Sequence, residues 1–187
     1  SLCFSAGAQA AEPVNTYALS NGPATGAQAG VMFGLFGEPA INENSQLIFR
    51  ASLKGTGISS SNDSGIWSAQ ANGTNSRIVQ EGMAAPGLPA GYAVGDLAIA
   101  PDPVGDRLQQ QLLNTGDLAM ELPVTFNGSS RVIAYMGQPD APQPVAIPGT
   151  LDPLGAQWGT NFSLSANPSG AFALVDKTNL SIWKGSV

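Results

Sequence analysis

The sequence predicts an all-β fold built from three antiparallel repeats. Three observations predict it. Three segments share a polar turn followed by apolar residues at alternate positions. Asn-Gly and Pro-Gly pairs recur between short apolar runs. The composition is that of a chain made of turns, with 23 glycines and 14 prolines among 187 residues.

The three segments are Asn42 to Leu53, Leu113 to Val124 and Asn167 to Asp176. Each turn ends in a small residue, Ser45, Gly116 or Gly170, and a period-two pattern follows. Period two marks a strand with one buried face. In the first copy Leu47, Phe49, Ala51 and Leu53 are expected to face in, and Ile48, Arg50, Ser52 and Lys54 out. Upstream of each motif a short apolar run ends at a glycine: Tyr17 to Gly22, Arg77 to Gly82 and Arg131 to Gly137. Gly65-Ile66-Trp67 matches Ser181-Ile182-Trp183, and unit two shows no clear counterpart. Asn72-Gly73 and Asn127-Gly128 are the strongest hairpin signals, because both central positions of a tight hairpin turn favour positive φ. One helix is expected, with Asp106 capping Arg107 to Leu113 inside an insertion of unit two. The units run over about 15–75, 76–130 and 131–187, so residues 15–187 read as a single β-repeat domain.

Residues 1–14 read as an N-terminal arm or a signal-peptide remnant. Ala8-Gln9-Ala10 fits the small-x-small pattern of a secretory cleavage site. A single Cys, Cys3, cannot form an intrachain disulfide and reads as a bystander thiol. Together with a charged content of only 11 %, against roughly 25 % in an average soluble domain, this points to a secreted or cell-surface setting.

Charge excludes some partners. Seven Lys and Arg against thirteen Asp and Glu give a net charge of −6. Nucleic acid needs cations for its phosphates, so none is expected as a partner. The absence of His removes Ser-His-Asp catalysis and the usual zinc sites. No run of about 18 apolar residues exists to span a membrane.

The three motifs resemble the tandem NxxGxxAFxAxL repeats of bacterial secreted proteins. There the repeat is accompanied by a Gly-Ile/Val-Trp/Phe strand and an EGDPAPG-like loop. Glu81-Gly82-Met83-Ala84-Ala85-Pro86-Gly87 and Asn62-Asp63-Ser64-Gly65-Ile66-Trp67 are similar to those pieces. The likeness covers nearly all of residues 16–187. It departs at Ser45, which replaces Gly, at Glu121 and Pro123 in unit two, and at Asp176 in unit three. The resemblance implies propeller-blade-like repeats outside the cell, with no catalytic residues and no cofactor to carry over. Three such units are fewer than the four to eight blades that usually close a propeller. They are expected to stack as an open array, to be completed by neighbouring chains, or to form part of a longer array.

Chemical motifs are weak. Ser181-Ile182-Trp183-Lys184 spells S-x-x-K, but on a strand residues i and i+3 point to opposite faces. Asp96, Asp102, Asp106, Asp117 and Glu121 form the densest acidic group, read as solvated loop acids. Trp67, Trp158, Trp183, Tyr92 and Tyr135 offer either a sugar-stacking platform or core packing, and the repeat equivalence of Trp67 and Trp183 favours packing. Sequons at Asn62, Asn72, Asn127, Asn161 and Asn179 are glycosylation candidates.

The expectation is a non-enzymatic, self-assembling subunit of an extracellular filament or surface layer, with copies of itself as partner. Phe4, Val14, Tyr17 and Leu19 are the assembly candidates, by donation of a strand to a neighbour. The alternative is an extracellular module that binds carbohydrate or another ligand, with glycans as partners.

Overall fold

The computed structural model describes residues 16–97, 110–159, 162–179 and 181–186. The described residues are all-β and hold thirteen strands in three antiparallel sheets. Sheet one contains β1 (Val31–Phe36), β2 (Ala40–Ile41), β3 (Leu47–Gly55), β4 (Ser64–Ala69) and β5 (Asn75–Gln80). Its order is β1-β3-β4-β5, with β2 also paired to β3. Sheet two contains β6 (Ala93–Val94), β7 (Gln110–Leu112), β8 (Leu118–Phe126), β9 (Ser129–Gly137) and β10 (Gln143–Pro144). Its order is β10-β9-β8-β6, with β7 also paired to β8. Sheet three is β11 (Phe162–Ala166), β12 (Ala171–Asp176) and β13 (Ser181–Ser186) in simple order.

Sheets one and two share a plan. A first strand, broken in the middle, runs along the repeat-motif strand: β1 and β2 on β3, β6 and β7 on β8. A third and a fourth strand follow, β4 and β5 or β9 and β10. Sheet three has the first three places filled.

Backbone geometry repeats with the same regularity. Before each first strand the chain makes a short ladder. Asn21 N donates to Phe33 O, Phe33 N to Gly22 O, and Ala24 N to Val31 O. Gly82, Val94, Met83, Ala85 and Tyr92 repeat these bonds, and so do Gly149, Trp158, Thr150, Asp152 and Ala156. Each ladder opens on a positive φ, at Asn21, Gly82 and Gly149.

The motif turns are also equivalent. Ser45 N, Gly116 N and Gly170 N each donate three residues back, to Asn42 O, Leu113 O and Asn167 O. All three donors have positive φ, 58°, 88° and 94°. The Asn of the motif closes its own turn: Asn42 Oδ1 accepts from Asn44 N and Gln46 N, and Asn167 Oδ1 from Ala171 N. The three turns then bond to one another. Asn42 Nδ2 donates to Leu113 O at 2.9 Å, Asn44 Nδ2 to Asn114 O at 2.9 Å, and Asn114 N to Pro168 O at 2.9 Å.

Packing follows from the alternation along the motif strands. Leu118, Met120, Leu122 and Val124 of β8 meet Ile48, Ile66 and Val79 of sheet one in one core. Ala119, with Ala134 and Met136 of β9, meets Phe162, Leu164 and Leu174 of sheet three in another. Leu53, Phe49 and Ala51 of β3 turn the other way, into an aromatic core with Phe33 and Trp67. Tyr17, Ala18, Ala24 and Ala27 pack on that core.

Two side chains of sheet two reach the outer edge of β11. Glu121 Oε1 accepts from Leu164 N at 2.9 Å, and Gln111 Oε1 from Ala166 N at 3.0 Å. They satisfy backbone donors that would otherwise face a core without a partner.

Three expectations change. Ile48 and Arg50 do not face solvent; they are 0 % and 2 % exposed, because sheet one is covered on both faces where sheet two meets it. The helix over Arg107 to Leu113 does not form in its described part. Gln110–Leu112 is β7, paired residue for residue with Met120, Ala119 and Leu118 of β8; Arg107, Leu108 and Gln109 lie outside the described residues. Strand pairing within a sheet overrides local helix propensity. Finally, the sheets end later than the sequence units. Asn75–Gln80 closes sheet one, and Arg131 to Gly137 belongs to β9, hydrogen-bonded to β8. The hairpin tips Asn72-Gly73 and Asn127-Gly128 join strands as expected, the second with φ of 50° and 74°.

Ser45→Gly should raise unfolding stability by up to about 1 kcal/mol, read by urea titration, because glycine removes the left-handed penalty at that turn. Glu121→Ala should lower it by about 1–3 kcal/mol, since Leu164 N–H is left buried and unpaired. Glu121→Gln, which keeps the acceptor oxygen, should lose much less in the same titration.

Candidate functional site

The repeat makes the two ends of the stack comparable with its interior. The third residue past each turn residue is Ile48, Ala119 or Ala173. Across from β3, β8 and β12 the third strand supplies Ile66, Ala134 and Ile182, opposite Arg50, Glu121 and Val175. Ile66 and Ala134 are 1 % and 0 % exposed, each buried against the next sheet. Ile182 is 76 % exposed. It stands on the same face, and no fourth sheet covers it among the described residues.

The aromatic positions also match. Trp67 lies opposite Phe49, Tyr135 opposite Met120 and Trp183 opposite Leu174. Tyr135 is therefore the counterpart that sequence comparison missed in unit two. Its sequence signal is Ile133-Ala134-Tyr135, which lies on the third strand, β9, and not on the fourth-strand place that a run ending at glycine suggests. Trp67 and Tyr135 are fully buried. The Trp67 indole N–H donates to Thr25 O and the Tyr135 hydroxyl to Pro86 O. Trp158 packs edge-on against Trp183 and Phe162, and Tyr92 stacks on Phe126. Trp67 and Tyr135 serve core packing, while Tyr92, Trp158 and Trp183 are partly buried against the cores.

At the opposite end the assembly candidates divide. Phe4 and Val14 lie outside the described residues. Tyr17 is half-buried on the aromatic core, and Asn75 Nδ2 donates to its carbonyl at 2.7 Å. Leu19 is 63 % exposed. Its carbonyl accepts from Gly22 N, as Gln80 O does from Met83 N and Ile147 O from Thr150 N. By this bond Leu19 corresponds to Gln80, at the end of β5, and to Ile147, just past β10. Beside it, a groove of about 360 Å³ is lined by Tyr17, Phe36, Pro39, Leu47 and Phe49.

The sequons divide too. Asn62 Nδ2 donates to Gly57 O, and Asn179 Nδ2 to Gln157 O and Asp176 Oδ2. These two amides hold turns together. Asn72 and Asn127 are exposed at hairpin tips. Asn161 lies outside the described residues. Ser181 and Lys184 sit on β13, and the Ser181 hydroxyl accepts from Trp183 Nε1.

The acids of the sequence group divide: Asp96 lies near Glu81, with Asp63 also beside it. Asp102 and Asp106 lie outside the described residues. Asp117 accepts from Thr115 Oγ1 and Gln138 Nε2, and Glu121 serves β11. Among the described residues no group of three or more His, Cys, Asp or Glu is arranged to hold a metal ion. Also among them, no helix is long and apolar enough to cross a membrane.

Burial sets the charge states of the remaining groups. Burial pushes the Glu81 carboxyl up; the Ser64 hydroxyl at 3.1 Å opposes this, and Asp96 and Asp63 add to it. Burial lowers Arg50 and raises the Tyr135 phenol. Asp176 is the reverse case. Burial raises its carboxyl, but Gly159 N, Asn179 N, Thr178 N and Asn179 Nδ2 all donate to it and together hold it below the ordinary value. A carboxyl lowered on folding stabilises the fold above its unfolded pKa of about 3.9 and loses that contribution as pH falls through the lower folded value. Asp176→Asn should therefore cost about 1.5–3 kcal/mol at neutral pH. The gap from the wild-type chain should narrow below about pH 4, read by urea titration at the two pH values.

No curated protein and no solved structure matches the chain. A family model does match residues 11–109, more than half of the sequence, across β1 to β6. Its description is "Family of unknown function (DUF7453)", and the chain belongs to that family.

Proposed function

We propose that this protein is a non-enzymatic, propeller-type β-repeat module that assembles with copies of itself into an extracellular structure. One observation carries the reading. Among the described residues, nothing covers the face of sheet three that corresponds to the faces by which sheets one and two bury their neighbours, and Ile182 stands on it, 76 % exposed. Burying an isoleucine side chain contributes about 1.5–3 kcal/mol, so the bare face favours association.

The sparse charge of the chain supports this, since charge is the usual guard of open sheet edges. Lys184 is the one charge on β13. It occupies the place of Ser68 and Met136 in the two covered sheets. A long lysine stem can lie over such a face with its ammonium at the rim. The extracellular setting rests on the Ala8-Gln9-Ala10 pattern and the likeness to secreted repeat proteins. Exposed Asn72 and Asn127 are where glycans would attach.

Light scattering over a concentration series should give a mass that rises above that of one chain. A single chain at every concentration overturns the proposal. Ile182→Lys should shift the series toward the single chain, and Lys184→Met should shift it the other way. Both variants should melt within a few degrees of the parent, as exposed substitutions do.

A further inference from the structure

We infer that the missing neighbour of sheet three is sheet one of a second copy, whose segment Thr16 to Ser20 adds to the free edge of β13. This rests on the self-association proposed above and names the junction it uses.

Two junctions of this kind already exist within the chain. In each, the stretch before the ladder does two things. It pairs with the third strand of its own sheet, and it packs on the core of the next. On β5, Val79 pairs with Ile66 of β4 and Ile78 falls at the bulge beside it, and both pack in the core between sheets one and two. Val145 and Ala146 continue β10 and lie in the core between sheets two and three; Val145 N donates to Ala134 O. Tyr17 and Ala18 occupy the same place before the first ladder. They pack on the aromatic core of sheet one. Among the described residues, however, no strand pairs with this stretch. Likewise β13 pairs with β12 alone, where β4 and β9 each hold a further strand. One half of a junction stands at each end of the stack.

The register can be read from the realised pairs. Trp67 lies opposite Arg77, and Tyr135 opposite Pro144. Each of these partners precedes its ladder residue, Gly82 or Gly149, by the interval that separates Thr16 from Asn21. Thr16 therefore belongs opposite Trp183. At the other end Gly65 lies opposite Gln80, which sets Ser181 opposite Leu19. The faces follow: Val175 and Ile182 meet the groove at Tyr17, Phe36 and Leu47.

The contact is head-to-tail, because it joins unlike surfaces. Two copies that closed on each other would form a ring of six sheets, within the usual range for propellers. Copies that did not close would form a filament.

The test is disulfide trapping of Leu19→Cys with Ser181→Cys, in a Cys3→Ser background and under mild oxidation. A reducible interchain cross-link is expected, at least tenfold more abundant than with Leu19→Cys and Thr125→Cys, a pair this junction keeps apart. Ala18→Cys with Ile182→Cys repeats the test if Ser181→Cys does not fold. A sample that light scattering shows to be oligomeric, yet which forms no cross-link with either pair, overturns this junction and leaves self-association standing. A single chain with no cross-link overturns both. A cross-link inside one chain also overturns the junction, since the stack then closes on itself.

Discussion

A β-sheet of three or four short strands has two faces, and in sheets one and two of this protein apolar side chains from both faces pack into cores. Such a sheet cannot be stable in isolation, because each face needs a second surface to exclude water. The structure meets this need by succession. Sheet two covers one face of sheet one, and sheet three covers the other face of sheet two. Arg50 lies inside the first junction and Glu121 inside the second. The polar cost is limited at Glu121 by giving the carboxylate a backbone donor. Stacking by repetition leaves two terminal faces, and they differ. The first is roofed in part by Tyr17 and Ala18. The last is bare at Ile182 among the described residues.

Geometry at the turns keeps the succession in register. The motif Asn earns its place by closing its own turn through the side-chain oxygen, and in unit one it also reaches the next turn through the amide nitrogen. Unit two has Leu113 there, and the side chain is buried in the core with sheet three instead. Its neighbour Asn114 joins the turns on both sides, accepting from Glu43 N and Asn44 Nδ2 and donating its backbone N–H to Pro168 O. Within the turn of unit two, the Thr115 hydroxyl accepts from Asp117 N in place of an Asn side chain.

Much of the fold was legible in the sequence, and the failures have physical causes. The three motif strands, the two Asn-Gly tips and the all-β class follow from period-two alternation and turn chemistry. Period two assigns inside and outside by polarity, so it placed Ile48 and Arg50 toward water. It could not know that another sheet lies on that side. Gln110–Leu112 carries a local helix pattern that a strand ladder overrides. The alignment of Arg131 to Gly137 failed because a short run ending at glycine describes both a third and a fourth strand. Only the hydrogen-bond partners distinguish them. Of the candidate assembly residues, Tyr17 and Leu19 lie on one end of the stack, and their correspondence to β5 and β10 appears only in backbone bonds such as Gly22 N to Leu19 O. Ile182, the centre of the other end, was legible as a repeat position and not as an exposed one.

The way β11 is fastened bears on motion. Sheet three meets the remainder along one face, through the Asn114 to Pro168 bond and the two side chains that grip Leu164 and Ala166. Sheet two, by comparison, is clamped from both sides. A sheet held along one face opens locally at a lower free-energy cost than one held along both, so the amide protons of β12 and β13 should exchange with solvent faster than those of β8 and β9. By the same reasoning, a surface laid over Ile182 would hold the terminal sheet from its second side and slow that exchange.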